Sequence, residues 1–293
     1  VRETIKKREA KIKGAVYELR ALTEDYRMQA VGGCQAAIDL YESCLIPSLL
    51  TNAGTWVEIP EEAISQLDNI QDTFGRVLLS LPLSTPRASL RAALGLVGMK
   101  WRVWELKILL IQAIRKQEEG GLAREVLEEQ LKMGWPGLAS EVRTICEEIM
   151  IPDASRMDLE KETIQRAVRY DHMKSPKKEL KGDKMKDMAN TDISNRREYT
   201  SWSVPECRMA YQLEIKMFVC RANMPGMYKR DLTCRACTTA ADCDGTGPVE
   251  DQEHLECCPG YASQWVGLGP MTPRTRVNYF IRVDNLRRKA AVK

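Results

Sequence analysis

Aromatic side chains make up only 6% of the 293 residues, and histidine occurs just twice. No apolar run reaches the roughly 18 residues that a membrane-spanning helix needs, so no such span and no membrane partner are expected. The sequence has no Gly-rich phosphate loop, no Gly-x-Ser-x-Gly elbow and no His-Glu-x-x-His pair. Those absences remove the usual signatures of nucleotide hydrolysis, serine esterases and zinc peptidases. Two adjacent aspartates never occur, and two-metal polymerase chemistry needs carboxylates held together to bind magnesium. No catalytic residue is therefore expected, and the chain alone is expected to show no turnover.

Surplus charge of one sign is also missing. Lys and Arg number 44 against 41 Asp and Glu, a net +3. The small total hides segregation: residues 1–20 carry +4, 21–75 carry −8, 76–116 carry +7, 117–162 carry −7, 163–270 carry +1 and 271–293 carry +6. A uniformly basic protein is excluded, and one with separate basic faces is not. The N-terminus, Val1-Arg2-Glu3-Thr4, has neither Met nor the apolar core of a signal peptide. The chain is expected to be an internal or C-terminal piece of something longer. With no secretory signal, its ten cysteines do not suggest a disulfide scaffold. Cys34, Cys44, Cys146, Cys207 and Cys220 read as small buried apolar residues of helices.

What is present is helical periodicity. Residues 61–81 space Ile64, Leu67, Ile70, Phe74, Val77, Leu78 and Leu81 three or four apart, between Pro60 and Pro82. Thr85-Pro86 restarts a helix as N-cap and first turn. From Met99, Val103, Leu106, Leu110 and Ala113 line one face, widened by Trp104, Leu109 and Ile114. Short helices follow around Leu122, Val126, Leu127 and Leu131, and around Leu138, Val142, Ile145 and Ile149. A further helix begins at Ile164, Ala167 and Val168; residues 174–200 then turn polar and Lys-rich, with Pro176 and Gly182 as breakers, and read as a mobile linker or frayed helix. His172 reads as a surface residue. Val204-Pro205 starts a helix with Met209, Leu213 and Met217 inward. Thr272-Pro273 starts a last one, with Val277, Phe280, Ile281 and Leu286. The expected fold is mainly α, with a helical domain over 1–118, helical connection and linker over 119–200, and a small module over 201–293 ending in a basic helix.

The strongest chemical signal is Cys234-x2-Cys237, sixteen residues, then His254-x3-Cys258. Cys-x2-Cys lets two thiolates from one turn meet one ion, and His and Cys at i and i+4 share a helix face. Three thiolates and one imidazole make a closed tetrahedral set, so one structural Zn2+ is the expected cofactor. Cys257 competes with Cys258, and Cys243 is able to replace a member. A closed set leaves no position for water, which counts against Glu253 as part of a metallohydrolase.

Among the cations of the 76–116 block, Arg87, Arg91, Lys100, Arg102 and Lys107 are candidate phosphate contacts. So are Arg282, Arg287 and Arg288 of the last helix. Trp101 and Trp104 read as core rather than as base-stacking platforms. If the block's cations share one exposed face, nucleic acid is favoured; if they scatter or pair with acidic residues, protein interaction is favoured.

Several segments resemble one family. Leu40-Tyr41-Glu42-Ser43-Cys44-Leu45-Ile46-Pro47-Ser48-Leu49-Leu50, then Gly54-Thr55-Trp56, resembles the stretch just after the palm in non-LTR (LINE-type) retrotransposon reverse transcriptases. Residues 67–76, 81–86 and 90–96 resemble the thumb helices and their connection. Met133-Gly134-Trp135-Pro136-Gly137-Leu138 and Cys207-Arg208-Met209-Ala210 resemble C-terminal extensions of such elements, and the Cys/His set followed by Pro259 resembles their zinc module. Where the family often shows His-x4-Cys, this chain has His-x3-Cys. The resemblance implies a thumb-like domain, a connection and a zinc-binding module without the polymerase site. It implies RNA or DNA as partner, gripped as template–cDNA hybrid or target DNA, with the polymerase core upstream as a second partner. The parent protein would be an RNA-directed DNA polymerase acting in cytoplasm and nucleus. The rival expectations are a zinc-stabilised protein-interaction module and a decayed fragment without function.

Overall fold

The computed structural model describes residues 2–24, 32–83, 85–179, 197–215, 234 and 251–291. It is mainly α: twelve α-helices and no strand among the described residues. In order they are α1 (Arg2–Glu24), α2 (Gly33–Leu40), α3 (Ile46–Leu49), α4 (Glu61–Leu79), α5 (Arg87–Leu94), α6 (Met99–Arg115), α7 (Leu122–Met133), α8 (Leu138–Glu148), α9 (Lys161–Glu179), α10 (Val204–Glu214), α11 (Gln252–Cys257) and α12 (Pro273–Ala291). No helix among the described residues is long and apolar enough to cross a membrane.

Apolar burial organises them around three cores. The first runs from Ile5 to Val103 and takes in Val204, Cys207, Tyr211 and Ile215 of the α10 region. The second joins Ile108 and Ile111 of α6 to Leu127, Val142, Ile145, Ile164 and Val168. The third joins Trp202, Met209 and Leu213 to Leu255, Val277, Tyr279, Phe280 and Val283. Two helices are therefore shared. α6 passes from the first core to the second, and α10 divides its faces between the first and the third.

Local chemistry explains most boundaries. Pro60 caps α4, Glu61 and Glu62 sit in its positive first turn, and Ser80 ends it in the left-handed region. Gly95 and Gly134, both at positive φ, end α5 and α7 as glycine does most readily. Ser203 accepts from Glu206 N–H while the Glu206 carboxylate accepts from Ser203 N–H, a capping box that starts α10. Between α2 and α3 the helix widens into a π-turn, Tyr41–Leu45, closed by a bond from Ile46 N–H to Tyr41 O. Pro47, with no N–H to give the ladder, follows at once, and Ser48 Oγ donates to the Cys44 carbonyl at 2.8 Å. The turn sets the Tyr41 ring flat on Phe74 at 3.9 Å, deep in the first core.

Several expectations need correction. Thr85 does not cap α5: Pro86 occupies that position, and the Thr85 hydroxyl is buried without a partner. Ala113 is exposed, because α6 has core on two sides and buries Val103, Lys107, Ile108, Ile111 and Gln112 instead of one stripe. α9 continues past His172 and Pro176 to Glu179. His172 is buried, its Nε2 accepting from Gly98 N–H at 3.2 Å and its ring edge-on to Trp101 at 4.8 Å. Cys44 is exposed and Leu286 largely so, while Cys34, Cys146 and Cys207 are buried. Met217, Cys220 and residues 180–196 lie outside the described residues.

Candidate metal centre

Asp251 starts the site. It caps α11, its Oδ1 accepting from His254 N–H at 2.6 Å, which fixes the imidazole in the first turn of a six-residue helix. Leu255, wholly buried in the third core, anchors that helix. The Tyr279 hydroxyl of α12 donates to the Leu255 carbonyl at 2.5 Å, and the Tyr279 ring stacks on Trp265 at 4.1 Å. Burial, followed by the neighbouring Cys258 and Cys257, pushes the Tyr279 hydroxyl well above its ordinary pKa, so it stays a donor.

The helix stops at Cys257. Cys258 leaves it with extended backbone, φ −63° and ψ 121°, and that turn carries its sulfur inward. Cys234 is buried against it, with the two Sγ atoms 3.7 Å apart. The ligand atoms of Cys234, His254 and Cys258 all lie within 4.8 Å of one another, a group that could hold a metal ion. Cys257 is exposed, and its thiol points back to the carbonyls of Glu253 and His254 at 3.5 Å. The open choice between Cys257 and Cys258 thus falls to Cys258. The reason differs from the expected shared helix face, since Cys258 sits beyond the helix. Cys237 and Cys243 lie outside the described residues.

A second set of contacts fastens this region to α10. Glu206 accepts from Arg274 at 2.9 and 3.1 Å and from Ser203. Burial would raise the Glu206 pKa, but the Arg274 and Ser203 hydrogen bonds outweigh it and hold the carboxyl below its ordinary range. A helix start read at Val204-Pro205 misses the Ser203-x-x-Glu206 box, which has a local spacing to find it by; the pairing of Glu206 with Arg274, 68 residues away, carries no local signal.

The structure separates the candidate phosphate contacts. Arg91 lies between Asp68 and Asp72, with Arg87 3.3 Å from Asp72. Arg102 meets Glu42 at 2.5 Å. Lys107 is almost wholly buried on Glu141, and Lys100 reaches Glu148 at 3.1 Å with its ammonium 4.1 Å over Trp104. Lys100 and Lys107 line a cavity of about 530 Å3 between α4, α6 and α8, whereas Arg102 faces the other way. Each of the five therefore has a carboxylate partner, and they do not form one exposed cationic face. On α12, Arg282 is exposed and donates to the neutral carbonyls of Gln264 and Val266, Arg288 pairs with Asp284 one turn back, and Arg287 is half-buried. Trp101 and Trp104 pack against the second core.

No protein-family model, curated protein or solved structure matches this chain.

Proposed function

We propose that Cys234, His254 and Cys258, with Cys237 as fourth ligand, hold one structural Zn2+, and that the chain is a non-catalytic binding unit of a LINE-type reverse transcriptase. The observation that carries the metal is the sulfur separation. Two thiolates on a tetrahedral zinc, each about 2.3 Å from it, lie about 3.8 Å apart; here they are 3.7 Å apart with an imidazole beside them. Cys-x2-Cys supplies the fourth donor in sequence. The order of the Leu40–Leu50, Gly54–Trp56 and Met133–Leu138 motifs supports the family, and the mainly helical fold fits a thumb and connection. On this reading the helices and the zinc module grip an RNA–DNA hybrid or target DNA, and the upstream core makes the bonds.

The ion pairs of Arg87, Arg91, Lys100, Arg102 and Lys107 favour a second reading, a zinc-stabilised protein-interaction module whose partner is the polymerase core. If nucleic acid binds, α12 is the better supported contact, because Arg282 there spends its donors on neutral carbonyls.

The test is a salt titration of the full chain on an RNA–DNA hybrid. Each neutralised phosphate contributes a slope of about −0.7 to −0.9 in log affinity against log salt. Changing Arg282, Arg287 and Arg288 to Gln is expected to flatten that slope by about 2. A slope unchanged by the triple variant, or no binding in low salt, leaves the interaction reading ahead.

A further inference from the structure

Cys34 and Cys207 stand apart from the metal cluster. They are 173 residues apart in sequence, one in the first turn of α2 and the other in α10, yet Cys34 Sγ–H points at Cys207 Sγ across 3.1 Å. Both are fully buried in the first core. The segments leading into the two helices are joined by Gly32 N–H, which donates to the Ser201 carbonyl at 2.8 Å, and α10 is fastened to α5 by a hydrogen bond of 2.8 Å between the Tyr211 and Ser89 hydroxyls. Among the described residues no His, Asp or Glu joins these sulfurs in a ligand group, in contrast to Cys234 and Cys258, which His254 joins. Two thiols in contact without a third donor have the chemistry of a disulfide rather than of a metal site.

We propose that Cys34 and Cys207 are a cross-linking site, closed by thiol–disulfide exchange with a small-molecule disulfide, that latches α10 to α2. One cysteine thiolate attacks the reagent's S–S bond and expels one thiolate, which takes up a proton. The second cysteine, giving up its own proton, attacks the resulting mixed disulfide and expels the other. Two cysteine thiols and one small disulfide become one protein disulfide and two small thiols. Bringing the sulfurs from 3.1 Å to the bonded distance of about 2.05 Å needs roughly 1 Å of movement, shared between two side chains. Complete burial makes the first attack wait on a parting of α2 and α10, so the latch closes slowly and, once closed, is shielded from reduction in the same way.

The consequence is specific. α10 carries the third core on its other face, so the cross-link would fix to α2 the helix against which the candidate metal centre packs.

The experiment treats the full chain with graded ratios of oxidised to reduced glutathione, alkylates the remaining thiols and maps unreduced peptides by mass spectrometry. The exposed Cys44 and Cys257 report in the same sample that the reagent is active. A Cys34–Cys207 linked peptide is expected to accumulate as the ratio rises, with a gain in Tm of about 5–10 °C. Cys34→Ala and Cys207→Ala are each expected to abolish both. Should either variant fail to fold, the wild-type peptide map still decides. Cys34 and Cys207 left as free thiols while Cys44 and Cys257 are fully modified would overturn the proposal. So would either residue appearing cross-linked to a different cysteine.

Discussion

At the scale of single residues, His172 shows how little a polar neighbourhood says about burial. It lies among Tyr170, Asp171, Lys174 and Ser175, a context that reads as surface. The helix nevertheless turns its imidazole inward, where Gly98 N–H and the Trp101 ring take it up, and Trp101 Nε1 donates to Asp171 beside it. Burial, aided by Arg91 and Arg102, lowers its pKa to about 4 against the opposing Asp171. The folded protein thus binds this proton less readily than the unfolded chain. Stability is complete above the ordinary histidine value of about 6.5 and declines as pH falls from there towards about 4. Denaturant melts at pH 7 and pH 5 are expected to differ by about 2 kcal/mol from this group. His172→Gln, which keeps an acceptor for Gly98 N–H, is expected to remove most of that difference; equal pH slopes in the two proteins would contradict it. By contrast the grouping of Cys234, His254 and Cys258, which could hold a metal ion, was foreshadowed by Cys-x2-Cys and His-x3-Cys, because candidate ligand pairs follow a short-range spacing and a buried histidine follows none.

At the scale of elements, sequence pattern located the helices well and their faces less well. α4 has one core to meet, and its expected stripe of Leu67, Ile70, Phe74 and Leu78 is buried. α6 meets α4, α7, α8 and α9 as well as the short turn Ala53–Thr55. A single-face reading therefore placed Ala113 inside and overlooked Ile108 and Ile111. Partners of that kind are fixed by tertiary packing and leave no periodicity to read. The turn against α6 supplies a prediction. A Cβ at Gly54 would lie 3.0 Å from the Leu106 carbonyl oxygen and 3.3 Å from the Leu110 side chain. The carbonyl belongs to the helix backbone and has nowhere to move. Gly54→Ala is expected to cost about 1–3 kcal/mol in a thermal or denaturant melt. A neutral substitution would show that α6 is not held against the turn as described.

At the scale of the molecule, the sharing of α10 decides how damage at the candidate metal centre spreads. Val204, Cys207 and Tyr211 belong to the first core, and Met209, Ala210 and Leu213 to the third. Among the described residues the third core has six buried apolar members outside α10, Trp202, Leu255, Val277, Tyr279, Phe280 and Val283, and α11 is a six-residue helix that would not persist unaided. Its order rests on Leu255, the Tyr279 hydrogen bond and, on the proposed reading, a metal joining Cys234, His254 and Cys258. Removing that ion with a chelator under reducing conditions is expected to raise hydrogen exchange first in α11 and then in α12. α10 should open only in part, because its other face remains packed in the first core and Glu206 keeps the Ser203 cap. The helices α4 to α8 should exchange as before, since neither Cys234, His254 nor Cys258 belongs to their two cores. Exchange unchanged in α11 and α12 after the metal is gone would show that the cluster carries no structural ion. Opening of α4 to α8 in step with α11 would show that the three cores unfold as one cooperative unit, with α10 rigidly coupling the centre to the rest of the chain.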